Sequence, residues 1–172
     1  AGGVGQIFCQ WAKSLGCKVI GTVGSDEKIG LAKKNGCDLV INYSKEDFAD
    51  KVLEFTKAKG VPVVYDGVGK NTFHKSIECL KTRGMMVSFG NASGSLEKID
   101  VQKSIQPKGL YFTRPSMWHY LATRDEIQAG ADKVFERIKL GKIKIDIFKK
   151  YRLDEIAQAH KDLENRKITG SA

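Results

Sequence analysis

Short β-rich runs alternate with helical patterns as far as Gly90, and this alternation leaves few folds open to the chain. "KVIGTV" (18–23), "LVIN" (39–42), "VPVVYD" (61–66) and "MMVSFG" (85–90) read as strands. Pro62 falls near the start of its run, where a missing N–H matters least. Val4, Ile7, Phe8, Trp11, Ala12 and Leu15 mark the apolar face of a helix over 4–15, which Gly16 ends as a C-cap. A second helix spans 25–36 with Ser25 as N-cap, a third spans 45–58 on Phe48, Val52 and Phe55, and a fourth spans 70–81. Strands joined through helices pair in parallel, with helices on both faces of the sheet. The fold class is therefore α/β, a doubly wound parallel sheet.

Beyond Gly90 the rhythm changes. Residues 91–109 are polar and read mostly as loop, and "LYFTRP" (110–115) is a strand stopped by Pro115. A longer helix over 123–140 turns Ile127, Ala131, Val134, Phe135 and Ile138 inward. "KIKIDIFKKYRL" (142–153) alternates like a strand, and 154–166 is a last helix.

Bulk properties narrow the function classes. The 172 residues suit one domain, or one domain plus a piece of another. A chain 41% hydrophobic and 28% charged can bury a core, and no apolar run approaches a membrane span. No secretory leader is visible, and the four cysteines show neither CxxC spacing nor histidines at metal-ligand spacing. They read as thiols of a cytoplasmic protein. His74, His119 and His160 are scattered, with no nucleophile in a triad-like context. The net charge of +9 would suit a phosphate or nucleic acid. Its lysines are dispersed, however, with Lys33-Lys34, Lys149-Lys150 and Arg166-Lys167 the adjacent basic pairs, so solvated helix faces account for them.

The opening "AGGVGQIFCQWAKSLG" carries the chemistry. Gly2, Gly3 and Gly5 directly precede an amphipathic helix. Backbone N–H groups at a helix N-terminus favour an anion, and glycine lets a pyrophosphate approach the backbone. In the fingerprint G-x-G-x-x-G, Gly2 is the second glycine and Gly5 the third; the first would lie before Ala1. An NAD site usually places an acid at the end of the next strand, for the ribose 2′-hydroxyl. Here that strand ends in "GTVGS", while Asp26 and Glu27 suit the first turn of a helix. Lys28, one turn in, could reach a 2′-phosphate, which argues for NADP over NAD.

"AGGVGQIFCQWAKSLGCKVIGTVGS", "VINY", "VVYDGVG", "GMMVSFGNASG" and "YFTRPS" together resemble the zinc-free quinone oxidoreductases. These form the zeta-crystallin-like branch of the medium-chain dehydrogenase/reductase superfamily, and bacterial NADPH:quinone reductases are the nearest likeness. The resemblance implies a Rossmann domain without its first strand over 1–141. Residues 142–172 would be a small piece of the return toward a GroES-like catalytic domain. It places the pyrophosphate turn on Gly2, Gly3, Val4 and Gly5, and the 2′-phosphate contacts on Gly21, Lys28, Tyr43 and Arg166. Gly69 falls near the ribose or adenine, and the backbone of Phe89, Gly90, Asn91 and Ala92 faces the nicotinamide. On its own, Tyr43 would be a packed strand-end aromatic and Arg166 a solvated helix-end charge.

The implied activity is direct hydride transfer from NADPH to a quinone bound between domains, with no catalytic side chain in this chain and no metal. The 172-residue chain alone is accordingly expected not to reduce quinone. A homodimer paired through the strand near 110–113 is implied as well. Alternatives are an enoyl or zinc-dependent alcohol reductase of the same superfamily, or an RNA-binding zeta-crystallin-like protein. Against the last, no aromatic-plus-basic RNA motif is visible.

Overall fold

The computed structural model describes residues 2–165 and 167–172. Five strands appear among them: β1 (Ile20–Val23), β2 (Leu39–Asn42), β3 (Val61–Asp66), β4 (Leu80–Ser88) and β5 (Tyr111–Thr113). The α-helices are α1 (Gly3–Ser14), α2 (Glu27–Lys34), α3 (Phe48–Phe55), α4 (Phe73–Glu78), α5 (Val101–Ser104), α6 (Met117–Tyr120), α7 (Arg124–Lys139) and α8 (Ile156–Glu164). All named strand pairs are parallel, in the orders β1-β2 and β3-β4-β5. Each of the two orders occurs within the doubly wound order 3-2-1-4-5-6.

The chain divides into two compact units. The first gathers Ala1–Glu46 with Ala129–Ala172. Its core joins Val19 and Val23 to Ala32 of α2 and to Cys37, with Cys9 and Ala12 of α1 packed against them. The second, Asp47–Gln128, centres on Phe73 and Ile77 of α4 with Leu80, Met86 and Leu110. The phenyl rings of Phe73 and Phe112 meet edge to face at 6.0 Å there. The other face of its sheet sets Val63, Met85 and Tyr111 side by side in register, and all three are exposed.

Capping explains where several helices start and stop. Asp47 accepts from the backbone N–H groups of Ala49 and Asp50, so α3 begins at Phe48 rather than at 45. It ends at Phe55, and beyond it Lys57 and Ala58 take left-handed φ. The helix expected over 70–81 is confined to α4, because Leu80 already pairs with Val61 and opens β4. The expected loop 91–109 contains α5, capped by Asp100, and a 3-10 turn at Gln106–Lys108.

Three expectations are corrected. Ser25 does not cap α2: the cap position is Asp26, and the Ser25 hydroxyl is buried without a hydrogen-bond partner. Residues 142–153 form no strand, only a bridge between Ile147 and Ser171. The reason is that their backbone is bonded elsewhere. The Gln10 side chain donates to the Lys144 carbonyl at 2.9 Å and accepts from its N–H at 2.8 Å, and the Phe148 N–H goes to Ser171 at 2.8 Å. Only Ile143 of that alternating set is buried, while Ile145, Ile147 and Phe148 are exposed. Finally, α7 buries no residue, and its Ile127 and Phe135 lie exposed.

Candidate functional site

Residues expected to bind nucleotide occur in both units, at strand C-terminal ends and at the start of α1. In the first unit, Gly2 is the N-cap of α1, with φ −83° and ψ 176°. Any L-residue adopts that conformation, and a Cβ added at Gly2 or Gly5 would meet nothing within 4 Å. Neither backbone strain nor packing within the chain requires glycine at these two places. What glycine provides is a bare backbone at a helix N-terminus, where the N–H groups of Gly3, Val4 and Gly5 lack intrahelical acceptors. A Cβ at Gly3 would lie in ordinary contact with Gly170, 3.5 Å from its carbonyl oxygen.

The end of β1 holds the second group. Tyr43, just past β2, lays its phenol over Gly24, where a Cβ would come within 2.8 Å of the hydroxyl. Its N–H donates to Val23 at 3.0 Å, and the Ser44 hydroxyl donates to Gly24 at 2.9 Å. Asp26, the nearest acid, is already engaged. Its carboxylate accepts from Asn42 at 2.6 Å and pairs with Lys45. The Lys45 ammonium foremost, then the Asn42 amide, holds the Asp26 carboxyl below the usual range, and Lys45 is raised in turn. Lys28, by contrast, has no ion pair among the described residues. Gly21 is a packing glycine here, since a Cβ would stand 2.7 Å from the Cys37 sulfur. Arg166 lies outside the described residues.

In the second unit a buried carboxylate organises the turn after β3. Asp66 Oδ1 accepts from the N–H groups of Val68 (2.8 Å) and Gly69 (3.0 Å). Its Oδ2 accepts from the hydroxyls of Thr72 (2.8 Å) and Ser76 (2.9 Å). The turn is laced to the segment after β4: Ala92 N–H reaches Gly67 at 3.2 Å and Ser93 N–H reaches Val68 at 2.8 Å. Three glycines permit that approach. A Cβ on Gly67 would strike the Phe89 ring at 2.9 Å, and one on Gly90 would sit 2.4 Å from the Gly67 oxygen. Gly69 has φ +89° with the Gly94 carbonyl 2.7 Å from its Cβ position. Arg114, just after β5, donates to the carbonyls of Ser88 (2.9 Å) and Gly90 (3.3 Å). Gly69 and Phe89–Ala92 are thus brought together, leaving Phe89, Asn91 and Ala92 exposed.

Sequence reasoning passed over Asp66, Gly67 and Arg114. The signal for the first was present: an acid closing a strand, followed by Gly-Val-Gly and by Thr72 and Ser76, is the makings of an Asx-type turn. Nothing local marks Arg114, whose acceptors lie 24 and 26 residues away.

Residues 3–139 match the zinc-binding dehydrogenase family. The chain belongs to that family. Despite the family's name, no three His, Cys, Asp or Glu side chains converge among the described residues, so they offer no cradle for zinc. Among zinc-binding dehydrogenase relatives, a quinone oxidoreductase of Pseudomonas aeruginosa is 47% identical over 171 residues, 99% of this chain and 53% of that protein. A 2-haloacrylate reductase of Burkholderia sp is 45% identical over 172 residues, 99% of this chain and 52% of that protein. The crystal structure of Escherichia coli quinone oxidoreductase complexed with NADPH superposes with a TM-score of 0.95 at 46% identity, covering all of this chain and 53% of that one. The chain spans about half the length of the curated relatives it matches.

Proposed function

We propose that this chain is the nucleotide-binding portion of an NADPH-dependent quinone oxidoreductase of the zeta-crystallin-like, zinc-free branch. The observation that carries the reading is the end of β1. There the acid that would hold a ribose hydroxyl is tied to Lys45 and Asn42, while among the described residues Lys28 has no counter-ion and the Ser25 hydroxyl is buried without a partner. A 2′-phosphate supplies both charge and acceptors to such groups. Relatives of this chain include a quinone oxidoreductase solved with NADPH.

In this reading the backbone of Gly2, Gly3, Val4 and Gly5 binds the pyrophosphate at the start of α1. Lys28, Tyr43, the backbone of Gly21 and Arg166 hold the 2′-phosphate. Gly69 meets the ribose or adenine, and Phe89, Gly90, Asn91 and Ala92 position the nicotinamide. When bound, the reduced nicotinamide supplies a hydride to the acceptor. Residues 1–141 then make up the nucleotide-binding domain and 142–172 the return toward a GroES-like catalytic domain. Cytoplasmic placement belongs to the same proposal; no described helix is long and apolar enough to cross a membrane.

Calorimetric titration of the protein that carries this chain tests the reading. NADPH is expected to bind at least about tenfold more tightly than NADH, as one or more charge-assisted contacts of roughly 1.5–3 kcal/mol require. Equal affinities would refute it. The 2-haloacrylate reductase relative favours a second reading of the acceptor, an alkene activated by a carboxylate. Rates with a benzoquinone and with a 2-haloacrylate decide between the two. The open edge of β5, with Tyr111 and Phe112 exposed, supports a homodimer paired through residues 110–113. A monomeric mass by light scattering would rule that out.

A further inference from the structure

We propose that Cys9 and Cys37 form a redox-active dithiol that closes to an intramolecular disulfide when a hydroperoxide oxidises the protein. Their sulfurs lie 3.5 Å apart although 28 residues separate them in sequence. A disulfide needs about 2.05 Å, so closure asks for a movement of roughly 1.5 Å.

The approach is fixed from several sides. Cys9 and Ala12 of α1 pack on the core cluster that includes Cys37. Gly36, with φ +96°, lets the turn before Cys37 press on α1, its Cβ position 3.1 Å from that of Lys13 and 3.6 Å from the Cys9 carbonyl. Lys13 pairs with Asp38, whose other oxygen accepts from the Val19 N–H at 2.8 Å. The Cys37 N–H is bonded to Ala32 at 3.2 Å.

The two thiols differ in the way such chemistry needs. Cys9 is half-buried and Cys37 is buried. The Cys37 thiol donates to Cys9, which lowers Cys9; that same hydrogen bond, together with burial, raises Cys37. Cys9 is therefore the nucleophile and Cys37 the resolving thiol. The Cys9 thiolate attacks one oxygen of hydrogen peroxide, the O–O bond breaks, and sulfenic acid forms while the departing hydroxide takes a proton to become water. The Cys37 sulfur then attacks the Cys9 sulfur, displacing its hydroxyl, which leaves as water with the Cys37 proton. In sum, two thiols and one peroxide give one disulfide and two waters. Cys79 has no such partner, and burial pushes its thiol up to about 12. The nucleotide reading uses neither Cys9 nor Cys37, so this proposal stands apart from it.

The test treats the full chain with one equivalent of hydrogen peroxide, alkylates the remaining thiols and maps tryptic peptides. Cleavage places Cys9 in peptide 1–13, Cys17 in 14–18 and Cys37 in 35–45. The expected product is a cross-link between 1–13 and 35–45, two thiols lost per chain, and full recovery with dithiothreitol. In Cys37→Ser the cross-link vanishes and Cys9 becomes trappable by dimedone. Cys9→Ser gives neither cross-link nor adduct, a control that spares the buried position. An unchanged thiol titre, a link through Cys17, or a Cys9 that only climbs to sulfinic acid in the wild-type chain would overturn the proposal.

Discussion

The ends of β1 and β3 are built in opposite ways. After β3, both oxygens of Asp66 are occupied by four donors of the same unit, and the next loop is bonded back onto the turn. After β1, a buried hydroxyl goes unanswered at Ser25, Lys28 has no ion pair among the described residues, and Gly2 and Gly5 at the start of α1 face open space. Buried polar groups that a fold satisfies make it rigid, whereas those it leaves unsatisfied stay costly until something else arrives. The first arrangement is scaffold, and the second is the one that the proposed nucleotide site would use for recognition. Ser88, buried and unpartnered at the end of β4, shows that even the scaffolded region keeps one such group in reserve.

Substitutions at matched positions can break this contrast. The largest effect belongs to Asp66→Ala, which strands two backbone N–H groups and two hydroxyls. About 3 kcal/mol of stability should go, read as a lower urea midpoint, and Asp66→Asn should restore part of it. Gly90→Ala comes next. A methyl 2.4 Å from the Gly67 oxygen must push the two loops apart, at about 2 kcal/mol by the same assay. Lys28→Glu should leave the midpoint unmoved yet weaken NADPH at least about tenfold, or 1.4 kcal/mol, while sparing NADH. Gly2→Ala should also cost little stability. Its added methyl meets no protein atom, so stability should fall by less than about 1 kcal/mol, while NADPH affinity falls. If Gly2→Ala unfolded the chain and Gly90→Ala did not, the division into scaffold and recognition would be wrong.

What the sequence made legible follows the same physical line. β2 and β3 fall where their apolar runs predict, at Leu39–Asn42 and Val61–Asp66. Gly2 and Gly5 stand out in the sequence by their spacing before an amphipathic helix, although the backbone at Gly2 admits any L-residue and a Cβ at either would meet nothing within 4 Å. The segment 142–153 misleads because alternation specifies a face and not a partner, and the Gln10 side chain took the hydrogen bonds a neighbouring strand would have made. The apolar stripe of α7 is likewise real in sequence, yet Ile127 and Phe135 are exposed in this chain. Asp66 was missed since its role depends on Thr72 and Ser76, which a strand-by-strand reading assigns to a different element.

Gly21 and Cys37 share one small volume, and this ties their evolutionary freedom together. With the sulfur in place, a methyl at position 21 would stand 2.7 Å from it, so one of the two must shift. Once the sulfur is gone, the vacated space matches what a methyl at 21 would fill. The two sites are therefore sterically coupled: loss of the thiol makes room for alanine in β1, and alanine there requires the sulfur to shift or to go. Across descendants of this chain, a larger residue at position 21 should mark those from which the Cys37 sulfur has disappeared.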